Sequence, residues 1–204
     1  TSDEFQSRIN VSRETLDKLQ VYADLLLKWQ ASINLIGPGT VQEIWYRHFY
    51  DSAQLFPYLI SDGPVIDIGS GAGFPGLVLA IMGRRNVTLI ESNGKKCTFL
   101  REVAMLSETD VTIHNNRIEN LKYFDVELIT ARALAPLNKL INYAEAFSKK
   151  SVANKILPKM LFLKGKSYKN EILELSKTKR ISFQEYQSIT DDFGKILYIN
   201  SINV

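Results

Sequence analysis

From Glu4 to Ile33 the apolar residues Leu16, Leu19, Tyr22, Ala23, Leu26, Leu27 and Ile33 recur mostly at steps of three and four, and no Pro or Gly interrupts them. That spacing predicts a helix, with Ser12 placed to cap a turn just ahead of Glu14. Ile36-Gly37-Pro38-Gly39 ends the pattern, and Thr40 is positioned to cap a second helix running to about Leu59, with Ile44, Phe49 and Leu55 inward. The period then changes. Val65, Ile66 and Ile68 read as a short buried strand, and Leu77, Val78, Ala80 and Ile81 as an apolar helix face behind it. Further strands are predicted over Val87–Ile90, Val111–His114, Val126–Thr130 and Leu161–Leu163, with helices over Lys95–Leu106, Asn138–Phe147 and Lys166–Leu175. Ile181–Tyr186 and Ile196–Ile202 alternate with no helix between them and are expected to pair antiparallel. The whole predicts an α/β fold: a doubly wound sheet, mostly parallel, closed by an antiparallel C-terminal edge and preceded by a helical appendage. The expected division is an appendage over residues 1–60, packed on a main domain over residues 61–204.

Composition narrows the class. A 204-residue chain that is 45% hydrophobic can fill one substantial core. No apolar run approaches the length of a membrane span, and Thr1 to Asn10 is too polar for a secretory signal, so a cytoplasmic protein with no membrane partner is expected. A start at Thr1 instead of methionine points to processing or trimming. The single cysteine, Cys97, excludes an internal disulfide, and two histidines beside it leave little from which to build a metal site. Net charge is only +3, yet Lys139 to Arg180 holds eleven Lys or Arg against Glu145, Glu171 and Glu174, a local +8 that leaves −5 for the rest. Each lysine alone reads as a solvated helix surface; together they point to a polyanionic partner such as nucleic acid.

The candidate chemistry lies in Pro64 to Gly76, where the strand enters a turn with glycines at Gly69, Gly71, Gly73 and Gly76. Missing side chains let a ligand approach the backbone, and free N–H groups line such a turn. Gly71, Gly73 and Gly76 match the spacing of dinucleotide binders, which keeps a nicotinamide-dependent oxidoreductase open. The fuller pattern sets Asp67 two positions before Gly69 and Glu91 at the end of the next strand. Two carboxylates suit a sulfonium cation, its amino group and its ribose hydroxyls better than a pyrophosphate, which favours S-adenosylmethionine. Later strand ends place Arg117, Ile118 and Glu119, then Arg132, then Lys164 at the same rim.

The residues also carry a family resemblance. Lys28-Trp29 with Asn34-Leu35, Arg47-His48 with Asp51-Ser52, the Asp67 to Gly76 loop, Glu91-Ser92 with Lys95-Lys96 and Phe99-Leu100-Arg101, Arg117-Ile118-Glu119, Ala131-Arg132-Ala133 and Leu163-Lys164-Gly165 follow in an order that resembles the glucose-inhibited division protein B family, the bacterial small-subunit ribosomal RNA guanine-N7 methyltransferases. The resemblance spans nearly the whole chain and implies a class I methyltransferase (Rossmann-like) fold that uses S-adenosylmethionine. It places Gly69, Phe74, Ile118, Glu119 and Arg132 on cofactor-contacting positions, beside Asp67, Gly71, Gly73 and Glu91 from the residues themselves. Glu91 stands where the family often has Asp, and Ala131 and Leu134 stand where Ser and Phe are common.

Guanine N7 carries an in-plane lone pair and no proton, so its methylation needs alignment and water exclusion but no general base. No catalytic acid or base is therefore assigned; Arg132 and Lys164 are positioning candidates. N7 is reached only through the deep groove of A-form RNA, so the target should be looped or extruded, and Phe74, Tyr46 and Phe49 are stacking candidates by type. Lys28, Arg47, His48, Lys95, Lys96, Arg101, Lys164 and Lys166 are candidates for phosphate contacts, with small-subunit ribosomal RNA or an assembling subunit as partner and a monomeric enzyme expected. A methyltransferase of another RNA or of a small molecule, and an RNA-binding module with a vestigial pocket, are the competing readings.

Overall fold

The computed structural model describes residues 1–121, 125–147, 149–150 and 155–203. The side chains of Lys149, Lys150 and Lys155, part of the basic stretch, lie outside the described residues. The first predicted helix is two helices. Helix α1 (Ser2–Ile9) is closed at its start by a capping box between Thr1 and Glu4, and Asn10 ends it in a left-handed conformation at φ 53°, ψ 49°. Helix α2 (Arg13–Gln30) starts afresh at Ser12, whose hydroxyl accepts from Thr15 N at 3.1 Å. Apolar spacing alone did not register this break, because the stop lies in the backbone of a polar residue.

The second predicted helix is replaced by a run of short turns. A 3-10 turn (Pro38–Glu43) leads into a π-helical turn (Trp45–Tyr50), then α3 (Asp51–Ala53) and a 3-10 turn (Phe56–Tyr58). The wide π turn seats adjacent residues His48 and Phe49 in the interior while Tyr46 and Arg47 stay outside. Pro57 then stops any longer helix.

The strands are β1 (Val65–Ile68), β2 (Val87–Glu91), β3 (Thr112–Asn115), β4 (Leu128–Arg132), β5 (Lys149–Lys150), β6 (Lys155–Ile156), β7 (Lys159–Lys164), β8 (Arg180–Gln187) and β9 (Lys195–Asn203). Between them lie α4 (Gly76–Ile81), α5 (Gly94–Leu106), α6 (Leu137–Ala146) and α7 (Tyr168–Ser176). The main sheet runs β3-β2-β1-β4-β7-β9-β8, seven strands in all. Strands β3, β2, β1, β4 and β7 are parallel, and β9 enters antiparallel between β7 and β8. The antiparallel C-terminal edge is as predicted. Strand β4 begins two residues later than expected, which makes Arg132 its last residue instead of its successor. The small β5–β6 ladder was not foreseen.

Chain order reverses between β1 and β4, and ligands of such sheets sit at the carboxyl ends of the strands on either side of that reversal. Alternate residues of β1 feed opposite faces: Val65 joins an apolar cluster with α2, α4 and α5, while Ile66 and Ile68 join one with α6 and α7. Phe5, Tyr22, Leu26 and Phe49 from the first helices belong to the same cluster as Leu77, Leu79, Phe99 and Leu100. Tyr22 is the hinge of that contact. Its ring stacks on Phe74 at 5.3 Å and 15°, and its hydroxyl donates to the Ala72 carbonyl inside the glycine turn. Replacing Tyr22 by Phe leaves a buried carbonyl without its donor and should cost about 1–2 kcal/mol in denaturant unfolding. Tyr22→Ala also removes the ring and should cost about 3–5 kcal/mol. An unfolding midpoint unchanged in Tyr22→Phe would remove the role given to the hydroxyl.

Candidate active site

The turn after β1 is a chain of backbone constraints. Ser70 N donates to Ile90 O at 3.0 Å, Ser70 Oγ to Asp67 O at 2.9 Å, and Gly73 N closes back on Ser70 O at 2.7 Å. Gly71 adopts φ +59°, and a Cβ built there would meet nothing nearer than Gly69 O at 3.8 Å, so this glycine opens onto free space. Gly73 serves a different end: at φ +98° a Cβ would lie 2.5 Å from the Tyr22 hydroxyl. It is a packing glycine and does not line the cavity.

That cavity measures about 460 Å³ and is walled by Gly69, Gly71, Glu91, Ile118, Glu119 and Arg132, with Lys96 and Leu134 at its rim. Its size falls within the range of roughly 300–1,000 Å³ usual for small-molecule sites. Glu91 is fixed at the end of β2: Oε2 accepts from Gly71 N at 2.9 Å and Oε1 from Asn93 N at 2.7 Å. Each oxygen keeps a lone pair for a further donor, which is what adjacent ribose hydroxyls need. Glu119 accepts from the Tyr143 hydroxyl at 3.0 Å, and its own backbone N–H together with that hydroxyl holds its carboxyl below the usual range.

Asp67 is fully buried beneath the turn and does not reach the cavity wall. Its Oδ1 accepts from Thr130 Oγ1 at 2.8 Å, while Oδ2 has no hydrogen-bond partner among the described residues. Burial pushes its carboxyl up to about 6, against the hydrogen bond from Thr130.

Arg132 closes the opposite side. Its guanidinium lies over the Phe74 ring at 4.9 Å, and Nη1 donates to Arg47 O at 2.9 Å and to Asp51 Oδ2 at 3.1 Å. Nη2 lies 2.7 Å from His48 Nδ1. Guanidinium has no lone pair to offer, so Nδ1 must accept and the imidazole must be neutral, with Nε2–H donating to Thr40 Oγ1 at 2.8 Å. Burial, then the Arg132 and Arg47 charges, hold the His48 pKa down to about 3.

The structure therefore sorts the predicted residues. Gly69, Gly71, Phe74, Glu91, Ile118, Glu119 and Arg132 surround one cavity; Asp67 and Gly73 support it from behind. His48 is corrected from a phosphate-binding cation to a neutral acceptor inside the fold. Phe49 is fully buried, and Phe74 is covered by Tyr22 and Arg132, so neither offers an open face for stacking. Lys164 is paired with Glu171 at 2.6 Å and donates to Ala135 O at 3.1 Å. Lys28, Arg47, Lys95, Arg101 and Lys166 are exposed, and Lys28 and Arg101 ride on helices α2 and α5, which Trp29 joins through a 2.8 Å bond to Glu102. Sequence reasoning missed the partners: Asp51 as the counter-ion of Arg132, and Leu134, whose methyl lies over Gly69, 2.4 Å from where a Cβ would stand.

A backbone cradle open at Gly71, a doubly anchored carboxylate with spare lone pairs, and a cavity at the reversal of strand order fit S-adenosylmethionine. The solved structures share the fold: a SAM-dependent methyltransferase from Aquifex aeolicus aligns with TM-score 0.58 at 14% identity, over 83% of this chain and 100% of that one. The chain is a class I S-adenosylmethionine-dependent methyltransferase. Residues 15–195 match the GidB family model, described as rRNA small subunit methyltransferase G, and the chain belongs to that family. Proteins named ribosomal RNA small subunit methyltransferase G share 45% identity with it in Paramagnetospirillum magneticum (98% of this chain, 96% of that one) and 45% in Orientia tsutsugamushi strain Boryong (93% and 92%). Among the described residues, no helix is long and apolar enough to cross a membrane.

The neutral His48 gives a pH prediction. An unfolded chain protonates this ring near pH 6.5, and the fold resists protonation until about pH 3. The unfolded state thus binds more protons in between, and the stability from this group is full above pH 6.5 and lost as pH falls. His48→Asn keeps an acceptor for Arg132 and removes the titration. Between pH 7 and pH 5 the wild type should lose about 2 kcal/mol more unfolding free energy than His48→Asn. Parallel pH curves would show that the ring titrates in the fold as it does in the unfolded chain.

Proposed function

We propose that this enzyme transfers the methyl group of S-adenosylmethionine to N7 of a specific guanine in small-subunit (16S) ribosomal RNA. The observation that carries this reading is a cavity in which Glu91 and the open backbone at Gly71 face a cofactor-sized space, while its histidine, His48, has both ring nitrogens engaged by Arg132 and Thr40 and is no free base. In this reading Glu91 accepts from the ribose hydroxyls, Ile118 and Glu119 flank the adenine, and Gly69 and Gly71 give the methionine half access to the backbone. Asp67 acts from beneath by holding Thr130 and Ser70, Gly73 seats the turn on Tyr22, and Phe74 and Arg132 shape the walls. When bound, the cofactor supplies an electrophilic methyl group.

The protein's own contribution is placement. N7 arrives with its lone pair free, so no side chain need remove a proton, and the residues hold the two reactants in line and exclude water. Carboxylates near the site favour a reaction whose reactant and product are both cationic. Arg132 and Lys164 position the reactants. Lys28, Arg47, Lys95, Lys96, Arg101 and Lys166 meet the RNA backbone around a monomeric, cytoplasmic enzyme, in which residues 1–60 form a helical appendage seated on the methyltransferase domain of residues 61–204.

Gly71→Asp fills the open space and adds a charge beside Glu91. It should abolish binding of S-adenosylmethionine and S-adenosylhomocysteine in calorimetry while leaving the far-UV spectrum unchanged. N7-methylguanine in small-subunit ribosomal RNA should vanish at one position in cells lacking the protein and return with the wild type but not with Gly71→Asp. Full modification in the deleted strain would overturn the reading.

A further inference from the structure

A second cavity of about 380 Å³ adjoins the first and shares Arg132, Ala133 and Leu134 with it. Its far wall is Lys164, at the end of β7, and the turn over residues 188–194 that joins β8 to β9. That turn is held unusually firmly for an exposed connection. Gln187 Nε2 donates to Asp191 O and Asp192 O, each at 3.1 Å, and Gly194 N closes on Asp191 O at 2.9 Å. The chain's first third also grips it: Gln54 Oε1 accepts from Ile189 N at 2.9 Å, the Tyr46 hydroxyl donates to Ile189 O at 3.0 Å, and Thr190 Oγ1 donates to Asp51 Oδ1.

A turn so anchored carries, at its tip, Phe193 with 71% of its surface exposed. Folding gains nothing from an aromatic ring left in water. A rigid mount with an unused π face is what an unstacked nucleobase requires. Tyr46, 41% exposed, lies against the same turn.

Charge says which part of a nucleotide belongs there. Asp191 lines the cavity, and Asp192 is exposed beside it. Two carboxylates repel phosphate and attract hydrogen-bond donors. Asp191 Oδ1 accepts from Phe193 N at 2.9 Å, and the other oxygen is available as an acceptor. Guanine presents N1–H and an amino group on one edge, and adenine has no N1–H.

We propose that the 188–194 turn is the guanine-recognition element of this enzyme: the cavity beside the cofactor site receives the extruded base, Asp191 in its lining accepts from the N1–H and amino edge, and Phe193, outside the lining at the tip of the turn, stacks on the neighbouring nucleobase. The proposal rests on the methyltransferase reading above and adds to it the part of the chain that holds the acceptor base. Lys164, already neutralised by Glu171, serves as a fixed donor at the cavity wall.

The test uses the full-length protein with S-adenosylhomocysteine bound, and reads its affinity for small-subunit ribosomal RNA by filter binding beside the steady-state constants for methylation. Phe193→Ala should weaken RNA binding about ten-fold and raise KM for RNA in step, with cofactor affinity and melting temperature unchanged. Phe193→Trp should restore binding, which a structural role for the side chain would not produce. Asp191→Asn retains an oxygen for Phe193 N yet loses a charged acceptor, and should raise KM for RNA several-fold while KM for the cofactor stays fixed. An active wild type alongside a Phe193→Ala variant that binds RNA equally well overturns this proposal alone. A wild type that neither binds nor methylates ribosomal RNA overturns the underlying reading, and the proposal with it.

Discussion

A guanidinium withdrawn from bulk water must find acceptors for its fork of N–H groups and a surface for its flat face. Arg132 finds both in one place: Asp51, His48 and the Arg47 carbonyl in its plane, and the Phe74 ring beneath it. These partners come from the π-helical turn, from α3 and from the glycine turn, so one side chain at the end of β4 ties three segments together. The ion pair is half buried, and replacing such a pair by apolar groups is often neutral for stability. Its value lies in geometry. Without a neutral His48 the guanidinium would face another cation, and without Asp51 it would stand uncompensated against an aromatic ring.

Asp51 carries the constraint further. One of its oxygens serves Arg132, while the other accepts from Gln54 Nε2 at 2.8 Å and from Thr190 in the β8–β9 turn. The wall of the cofactor cavity and the turn at the neighbouring cavity are thus held by the same carboxylate. On the other side of the cofactor site Glu91 plays the corresponding part, pinning Gly71 N and Asn93 N at 2.9 and 2.7 Å. A reaction that requires alignment and no proton transfer depends on such fixed walls more than on any reactive group.

The strand, glycine turn and helix from Val65 to Ile81 were legible because periodicity, glycine and proline all speak locally there. So were Glu91 and Ile118–Glu119, since topology sends strand ends to one rim. The break at Asn10 was not legible: its signal is a single left-handed residue between two stretches of one helical period. The π-helical turn was hidden for a related reason, as Trp45, Phe49 and Tyr50 satisfy a helical pattern roughly while the wider spacing is settled by packing against Phe5, Tyr22 and Phe74. His48 shows the deeper limit. Beside Arg47 it reads as a cation at an RNA surface, and only its distance to Arg132, eighty-four positions on, makes it a neutral acceptor. Asp67 was expected beside the ligand and lies instead beneath the turn, because a strand residue's face depends on what covers it, and Gly76 lets α4 close down on it.

The two ligands of a methyltransferase acting on RNA differ in sign, and the first cavity offers both kinds of charge: Glu91 and Glu119 line it together with Lys96, Arg117, Arg132 and Lys139. Lys28, Lys95, Arg101 and Lys166 lie exposed outside that cavity. With both signs in one lining, a carboxylate such as Glu91 acts on a ligand through the hydrogen bonds its fixed oxygens can accept more than through a summed field. Screening at physiological salt reaches about 8 Å, so exposed charges on the helices act mainly on what touches the surface there. A net charge of only +3 is then no argument against a polyanionic substrate, since a modest sum is what opposite local requirements on one small domain produce. The neutral His48 belongs to the same logic: it passes Arg132 an acceptor without adding charge of either sign to a lining that already holds both.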